Sequence, residues 1–152
     1  MLNADCPLCR EDGGTLLWRG PQFRVIEVDD ADYPGFTRVI WHAHQSEMTQ
    51  LPAPERDLLM RAVYAVEQAL IDVLSPDKIN LASLGNMVPH VHWHVIPRWR
   101  DDRHFPDAIW AAPRMASDAA SSASQTRQAR IQALLPAYRT RLIEALNALS
   151  GQ

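Results

Sequence analysis

An α+β fold, built as an antiparallel five-stranded sheet with one long helix and an extra C-terminal helical tail, is the expectation for this chain of 152 residues. Three observations predict it. Five short runs rich in β-branched residues read as strands, mostly in hairpin order. Clusters of glycine, proline and aspartate punctuate them. One long apolar stripe at helical spacing, over 52–74, interrupts the series.

Taken in order, residues 15–18 and 23–28 read as strands, the second with clean alternation, and Gly20-Pro21 marks the turn between them. Asp29-Asp30-Ala31-Asp32-Tyr33-Pro34-Gly35 is a loop leading into a strand over 36–40. In the helix, Leu58, Leu59, Ala62, Val63, Val66, Leu70, Val73 and Leu74 recur on one side, and Ser75-Pro76 ends it. A strand over 79–84 and the connection Gly85-Asn86-Met87-Val88-Pro89 lead to a last strand carrying histidines. Residues 113–124 are an alanine- and serine-rich linker. Beyond it, over 125–150, Ile131, Leu134, Leu135, Tyr138, Leu142, Leu146 and Leu149 form an amphipathic stripe, expected to kink or split at Pro136 and to pack on the domain or on a sister subunit.

Composition narrows the function. With 47% hydrophobic and 22% charged residues, the chain reads as one domain with a real core. A net charge of −3 and a pI near 6.0 give no support for bulk nucleic-acid affinity, so any nucleotide contact should be a local pocket. No apolar run reaches membrane-spanning length, and residues 1–5 lack the parts of a signal peptide. The expected location is cytoplasmic.

The chemistry is concentrated in His90-Val91-His92-Trp93-His94-Val95-Ile96-Pro97-Arg98, which holds three of the six histidines. Spacing by two is the strand period, which places the three imidazoles on one face and Val91, Trp93 and Val95 on the other. Along a strand, His90 and His94 stand roughly 13 Å apart, too far for one tetrahedral metal with bonds of about 2 Å to take all three rings. The roles must divide: one ring can be a ligand while another stays free as a nucleophile, with one ring nitrogen held as N–H and the other attacking.

Both cysteines lie in Cys6-Pro7-Leu8-Cys9. A disulfide is disfavoured in a reducing cytosol, and a redox pair of this spacing normally opens a helix after a strand, for which the short leader leaves no room. Such a pair more often forms half of a tetrahedral metal site, with candidates for the other half in Trp41-His42-Ala43-His44 and among the clustered histidines.

The run from His90 resembles the histidine-triad (HIT) motif, His-φ-His-φ-His-φ-φ with φ apolar, all four φ positions being filled by Val91, Trp93, Val95 and Ile96. Over about residues 6–110 the resemblance implies a HIT-like domain, bounded here as 1–112, and a homodimer. In zinc-bearing bacterial members, the ligands are similar to Cys6, Cys9, His44 and His90 of this sequence, with a structural zinc. His44 is preferred because 35–44 resembles the family's Gly-His-x-x-Val-Ile-Pro-x-x-His, with His42 as the fallback. By the same resemblance, His92 would attack the α-phosphorus of a nucleotide to give a nucleotidyl-imidazole, and His94 would hydrogen-bond phosphate oxygens or the leaving group. The implied activity is that of a nucleotide hydrolase or nucleotidyl transferase acting on phosphoramidates or dinucleoside polyphosphates.

Gly85, Asn86 and Met87 would line the phosphate pocket, where successive amides can cradle oxygens. Met87 departs from the hydroxyl residue common there, and Phe36 stands where many relatives carry a histidine. Asp29 and Asp30 are candidates for ribose hydroxyls, though acidic loops are often only solvated. Trp99 and Trp110 could close over a base or serve as packing anchors, and the lone His104 is expected at the surface. Two other functions fit the same residues: a nucleotide-binding sensor or adaptor with little turnover, and a metal-handling protein.

Overall fold

The computed structural model describes residues 3–114 and 122–150, so much of the linker expected over 113–124 lies outside the described residues. Strands β1 (Thr15–Arg19), β2 (Phe23–Glu27), β3 (Thr37–Trp41), β4 (Lys78–Ala82) and β5 (His92–Arg98) form one sheet in the order β1-β2-β3-β5-β4, antiparallel throughout. A short helix, α1 (Pro7–Arg10), precedes it, α2 (Ala53–Leu74) joins β3 to β4, and α3 (Ser122–Ser150) ends the chain. None of the helices in the described residues is long and apolar enough to cross a membrane.

Register separates the two faces, because directly opposed residues share one. Val25 faces Val39, and Val39 faces Trp93; with Phe23, Trp41 and Val95 they form the floor of the main core. Helix α2 covers this floor with Leu59, Ala62, Val63, Val66, Leu70 and Leu74. The left-handed Ser75, with φ 51°, then caps the helix through its amide to the Ile71 carbonyl. On the opposite face, Ile26 stands across from Arg38, Arg38 from His94, and Ile40 from His92. The leader packs there, with Cys6 and Leu8 against Ile26 and Ile40.

Helix α3 completes the core. Ile131, Leu135, Tyr138, Leu142 and Leu146 are all buried in the main cluster. Tyr138 Oη meets Thr37 Oγ1 at 2.6 Å, and Arg139 pairs with Glu27 at 2.8 Å. Pro136, expected to kink or split the helix, sits inside one unbroken helical run. Proline in a helix interior costs about 3 kcal/mol, and the buried residues on either side, Leu135 and Tyr138, hold both halves against the same surface.

The last strand starts later than its alternation predicts. His90 lies outside β5, in a bend where its amide donates to the Val88 carbonyl at 2.8 Å, and regular pairing begins at His92. The backbone of Val91 is fixed from both sides, donating to Gln45 O at 2.7 Å and accepting from Trp41 N at 3.1 Å. The acidic loop over 29–35 is a loop as expected. Asp30 accepts the Asp32 amide in an Asx turn, and Gly35 takes φ 88°, where an added Cβ would press on Leu74 at 2.9 Å.

Beyond β5 the chain folds around a buried ion pair. Arg98 donates through Nε and Nη2 to both carboxylate oxygens of Asp102, at 2.7 and 3.0 Å, and through Nη1 to Asn80 at 2.6 Å. Asp102 also accepts the amides of Trp99, His104 and Phe105 and the hydroxyl of Tyr33. His104 belongs to this network: it is buried, with Nδ1 2.5 Å from Tyr33 Oη, and the expectation of a surface histidine is corrected. A polar tip can be buried when a fixed hydroxyl meets it.

Burial alone would raise the Asp102 carboxyl, but the hydrogen bonds and charge of Arg98, with the amides of His104 and Trp99, more than offset it and hold the group below the usual carboxylate range. A carboxyl depressed in the folded state adds stability that is present above its unfolded pKa and drains as pH falls through the folded value. Asp102→Asn should therefore lose about 3–5 kcal/mol at pH 7, the cost of breaking a buried pair. Its stability should also decline less steeply than wild type below about pH 4. Urea unfolding across a pH series measures both.

Candidate active site and metal cluster

Cys6 enters α1, which the proline at the next position starts and which places Cys9 one turn on. Their sulfurs meet the ring of His90, with each Sγ 3.5 Å from its Nδ1, and Cys9 Sγ lies 3.5 Å from His44 Nδ1. The ligating atoms of Cys6, Cys9, His44 and His90 all fall within 4.8 Å of one another, a set that can bind a metal. His90 is prepared for this: Nε2 donates to the Trp41 carbonyl at 2.6 Å, so its Nδ1 lone pair faces the sulfurs. Burial pushes the pKa of His90 down, which also favours the neutral ligand form. His42, the fallback, points away, with Nδ1 on the Pro21 carbonyl at 3.2 Å.

His92 and His94 leave the start of β5 on the same face, with ring centroids 4.8 Å apart and planes at 73°. Their Nδ1 atoms have opposite partners. His92 Nδ1 donates to the His90 carbonyl at 2.6 Å, which leaves Nε2 as an unprotonated nitrogen. His94 Nδ1 accepts from Arg38 Nε at 3.2 Å, which puts the proton of the neutral ring on Nε2. Burial is the largest cause that lowers both pKa values, and nearby positive charge adds to it; that of His94 is pushed down to about 3. At neutral pH the site thus presents one lone pair and one N–H side by side.

Aromatic rings border this pair. Phe36 lies 5.7 Å from His94 on one side, and Trp110 stands edge-on at 5.1 Å on the other. Trp110 is half exposed, whereas Trp99 is buried in the main core beneath Arg127 and takes no part in the site. Ser83, just past β4, donates through Oγ to the His92 carbonyl at 3.0 Å and ties the end of that strand to β5.

Of the other candidates, Met87, Asp29 and Asp30 border cavities. Met87 is 94% exposed and, with Val88 and Pro89, borders a cavity of about 230 Å³ shared with Cys6 and His44. Gly85 does not adopt the left-handed region and has room for a Cβ, so its conformation does not demand glycine. Neither it nor Asn86 bonds to His92 or His94. Asp29 and Asp30 border a separate cavity of about 280 Å³ with Glu27, Gln132 and Arg139, beside α3. Sequence reasoning missed Arg38, although its alternation with Ile40 in the third strand was a readable signal that it shares the histidine face.

The profile of the HIT domain family matches residues 11–101. No curated protein matches the chain significantly. Among solved structures, a histidine triad protein from Bradyrhizobium japonicum is 23% identical with a TM-score of 0.63, covering 88% of this chain and 96% of its own. A histidine triad protein from Marinobacter aquaeolei VT8 is 24% identical with a TM-score of 0.61, covering 84% and 92%. A HIT family protein from Bacillus anthracis is 19% identical with a TM-score of 0.58, covering 86% and 96%. A profile that spans more than half of the chain and contains the whole His90-to-Ile96 motif leads to one assignment: the chain belongs to the HIT domain family.

Proposed function

We propose that this protein is a nucleotide hydrolase or nucleotidyl transferase that cleaves at the α-phosphorus through a covalent intermediate on His92. The observation that carries the reading is the opposed tautomers of His92 and His94, a lone pair beside a fixed hydrogen-bond donor. His92 Nε2 attacks phosphorus, and the bond to the leaving group breaks with its electron pair. The imidazolium so formed keeps Nδ1–H on the His90 carbonyl, whose dipole offsets the new positive charge. Water then attacks phosphorus, the P–Nε2 bond breaks with its electron pair returning to the ring, and the water's proton passes to solvent, which releases the nucleoside monophosphate and restores the neutral ring; an acceptor alcohol or phosphate in its place gives transfer. His94, held at about 3, is too weak a base to carry a proton at neutral pH, so it supplies a hydrogen bond and the leaving group takes its proton from solvent. Trp110, half exposed, offers apolar surface beside His94 for a base or leaving group, and the buried Phe36 backs the His94 ring.

His92→Ala should lower kcat on nucleotide phosphoramidates and dinucleoside polyphosphates by about 1,000-fold or more, since both half-reactions need the nucleophile. Nucleotide binding and the thermal melt should stay close to wild type. An unchanged kcat would sink the mechanism. Turnover absent from the wild type across the whole screen, with nucleotide still bound, would point instead to a sensor or adaptor.

The metal in this reading is zinc, held by Cys6, Cys9, His44 and His90. The donor set supports it, because two thiolates and two imidazoles make a closed tetrahedral shell with no open position for water. Bound there, zinc supplies rigidity: it would pin the leader to the bend before β5. Elemental analysis should find one zinc per chain, and Cys6→Ser should lower the melting temperature by roughly 10 °C, equivalent to about 3 kcal/mol. Less than a tenth of an equivalent of zinc in protein purified without chelator would count against the site.

The same reading includes a cytoplasmic location, where the thiols stay reduced, and a homodimer. Strand β4 is the unpaired edge of the sheet beside β5, and Leu81, Leu84 and Tyr64 are exposed. Sedimentation should give the mass of two chains, and charges placed at Leu81 and Leu84 should halve it.

A further inference from the structure

Among the described residues, a half-buried cation on the histidine face has no counter-ion. Arg38 stands directly opposite His94 in the β3–β5 ladder, and its guanidinium lies 5.5 Å from the centre of the Phe36 ring. Its Nε is used on His94 Nδ1. Among the described residues no carboxylate pairs with it, and its two terminal nitrogens make no hydrogen bond yet remain open to solvent. The other arginines buried in the sheet differ. Arg24 is used on the carbonyls of Leu8, Glu11 and Asp12, and Arg98 on Asp102 and Asn80.

Removing a guanidinium from water without an anion is unfavourable, and a planar fork of unused N–H groups matches two oxygens of a phosphoryl group. A hydrogen bond into His94 Nδ1 also selects the ring's tautomer. Phe36 has no polar atom with which to make that bond, so the duty falls to the residue two positions on, which shares its side of the strand.

We propose that Arg38 fixes His94 as the Nε2–H donor of the site and offers its unused guanidinium nitrogens to the phosphoryl oxygens of the bound nucleotide. The phosphoryl half rests on the function proposed above; the histidine half does not. Arg38 is thus a positioning residue toward His94 and a binding residue toward the nucleotide.

Two variants separate these duties. Arg38→Gln keeps an N–H donor for His94 but no charge, and Arg38→Met keeps neither. Ring nitrogen NMR on histidine-labelled protein reads the tautomer without any ligand, and calorimetry with adenosine monophosphate and with adenosine isolates the phosphate contribution. The wild type should carry the His94 proton on Nε2, Arg38→Gln should retain it, and Arg38→Met should shift toward the Nδ1–H form. Both variants should bind adenosine monophosphate roughly 10- to 100-fold more weakly, the loss expected for a charge-assisted bond, and adenosine about as well as wild type. A wild-type His94 protonated on Nδ1 overturns the histidine half, even if Arg38→Met fails to fold. Equal affinity of wild type and folded Arg38→Gln for adenosine monophosphate overturns the phosphoryl half alone. A wild type that binds neither adenosine nor its monophosphate overturns that half together with the proposed function.

Discussion

The bond from His92 Nδ1 to the carbonyl of His90, 2.6 Å long, joins the two chemical regions of the molecule. One residue serves both: the His90 ring faces Cys6 and Cys9, while its carbonyl selects which nitrogen of His92 is free. Neither duty survives a change in the bend. The Trp41 carbonyl fixes the far side of the His90 ring, and Val91 is held between Gln45 and Trp41. A displacement of a few tenths of an ångström at this bend would weaken the cysteine–histidine cluster and the tautomer together, because neither geometry has slack at hydrogen-bond distances. The late start of β5 is therefore a requirement of the site: the chain must leave the ladder for the first ring to reach the cysteines.

The far end of the same strand is secured differently. Arg98 and Asp102 are buried, and an ion pair so placed is stable only when the surrounding groups satisfy the remaining donors and acceptors. Here they do, with three backbone amides on the carboxylate and Asn80 on the guanidinium. Strand β5 thus runs from a cysteine–histidine cluster at its entrance to a closed polar network at its exit. The rings of His92 and His94 sit near the entrance, on a segment whose ends are both fixed, which suits chemistry that depends on pre-set orientation.

The sheet, its hairpin order and the long helix were legible because alternation and helical spacing report burial directly, residue by residue. The cysteine pair was legible as half of a metal site from its spacing, and His44 only through the resemblance of 35–44 to the family's motif. What the sequence concealed depended on tertiary contacts. The bend at His90 is held through Val91 by the backbones of the remote Trp41 and Gln45, and His104 is buried because Tyr33, seventy-one positions away, offers it a hydroxyl. Arg38 looked like an ordinary strand residue until the register put it across from His94. The candidates Asp29 and Asp30 border a cavity with Arg139 of the last helix, a neighbour that local propensity has no means of naming.

That last helix changes what counts as the unit of folding. The family profile ends at residue 101, yet five buried side chains of α3 lie beyond it in the main core. At about 2 kcal/mol for each buried side chain, they contribute on the order of 10 kcal/mol, as large as the net stability of a typical domain. A chain ending at 114 would keep every cysteine and histidine and lose one wall of the core beneath them. The stretch that the family profile matches and the body that buries the core thus have different borders: the first stops at 101, and the second runs on through α3.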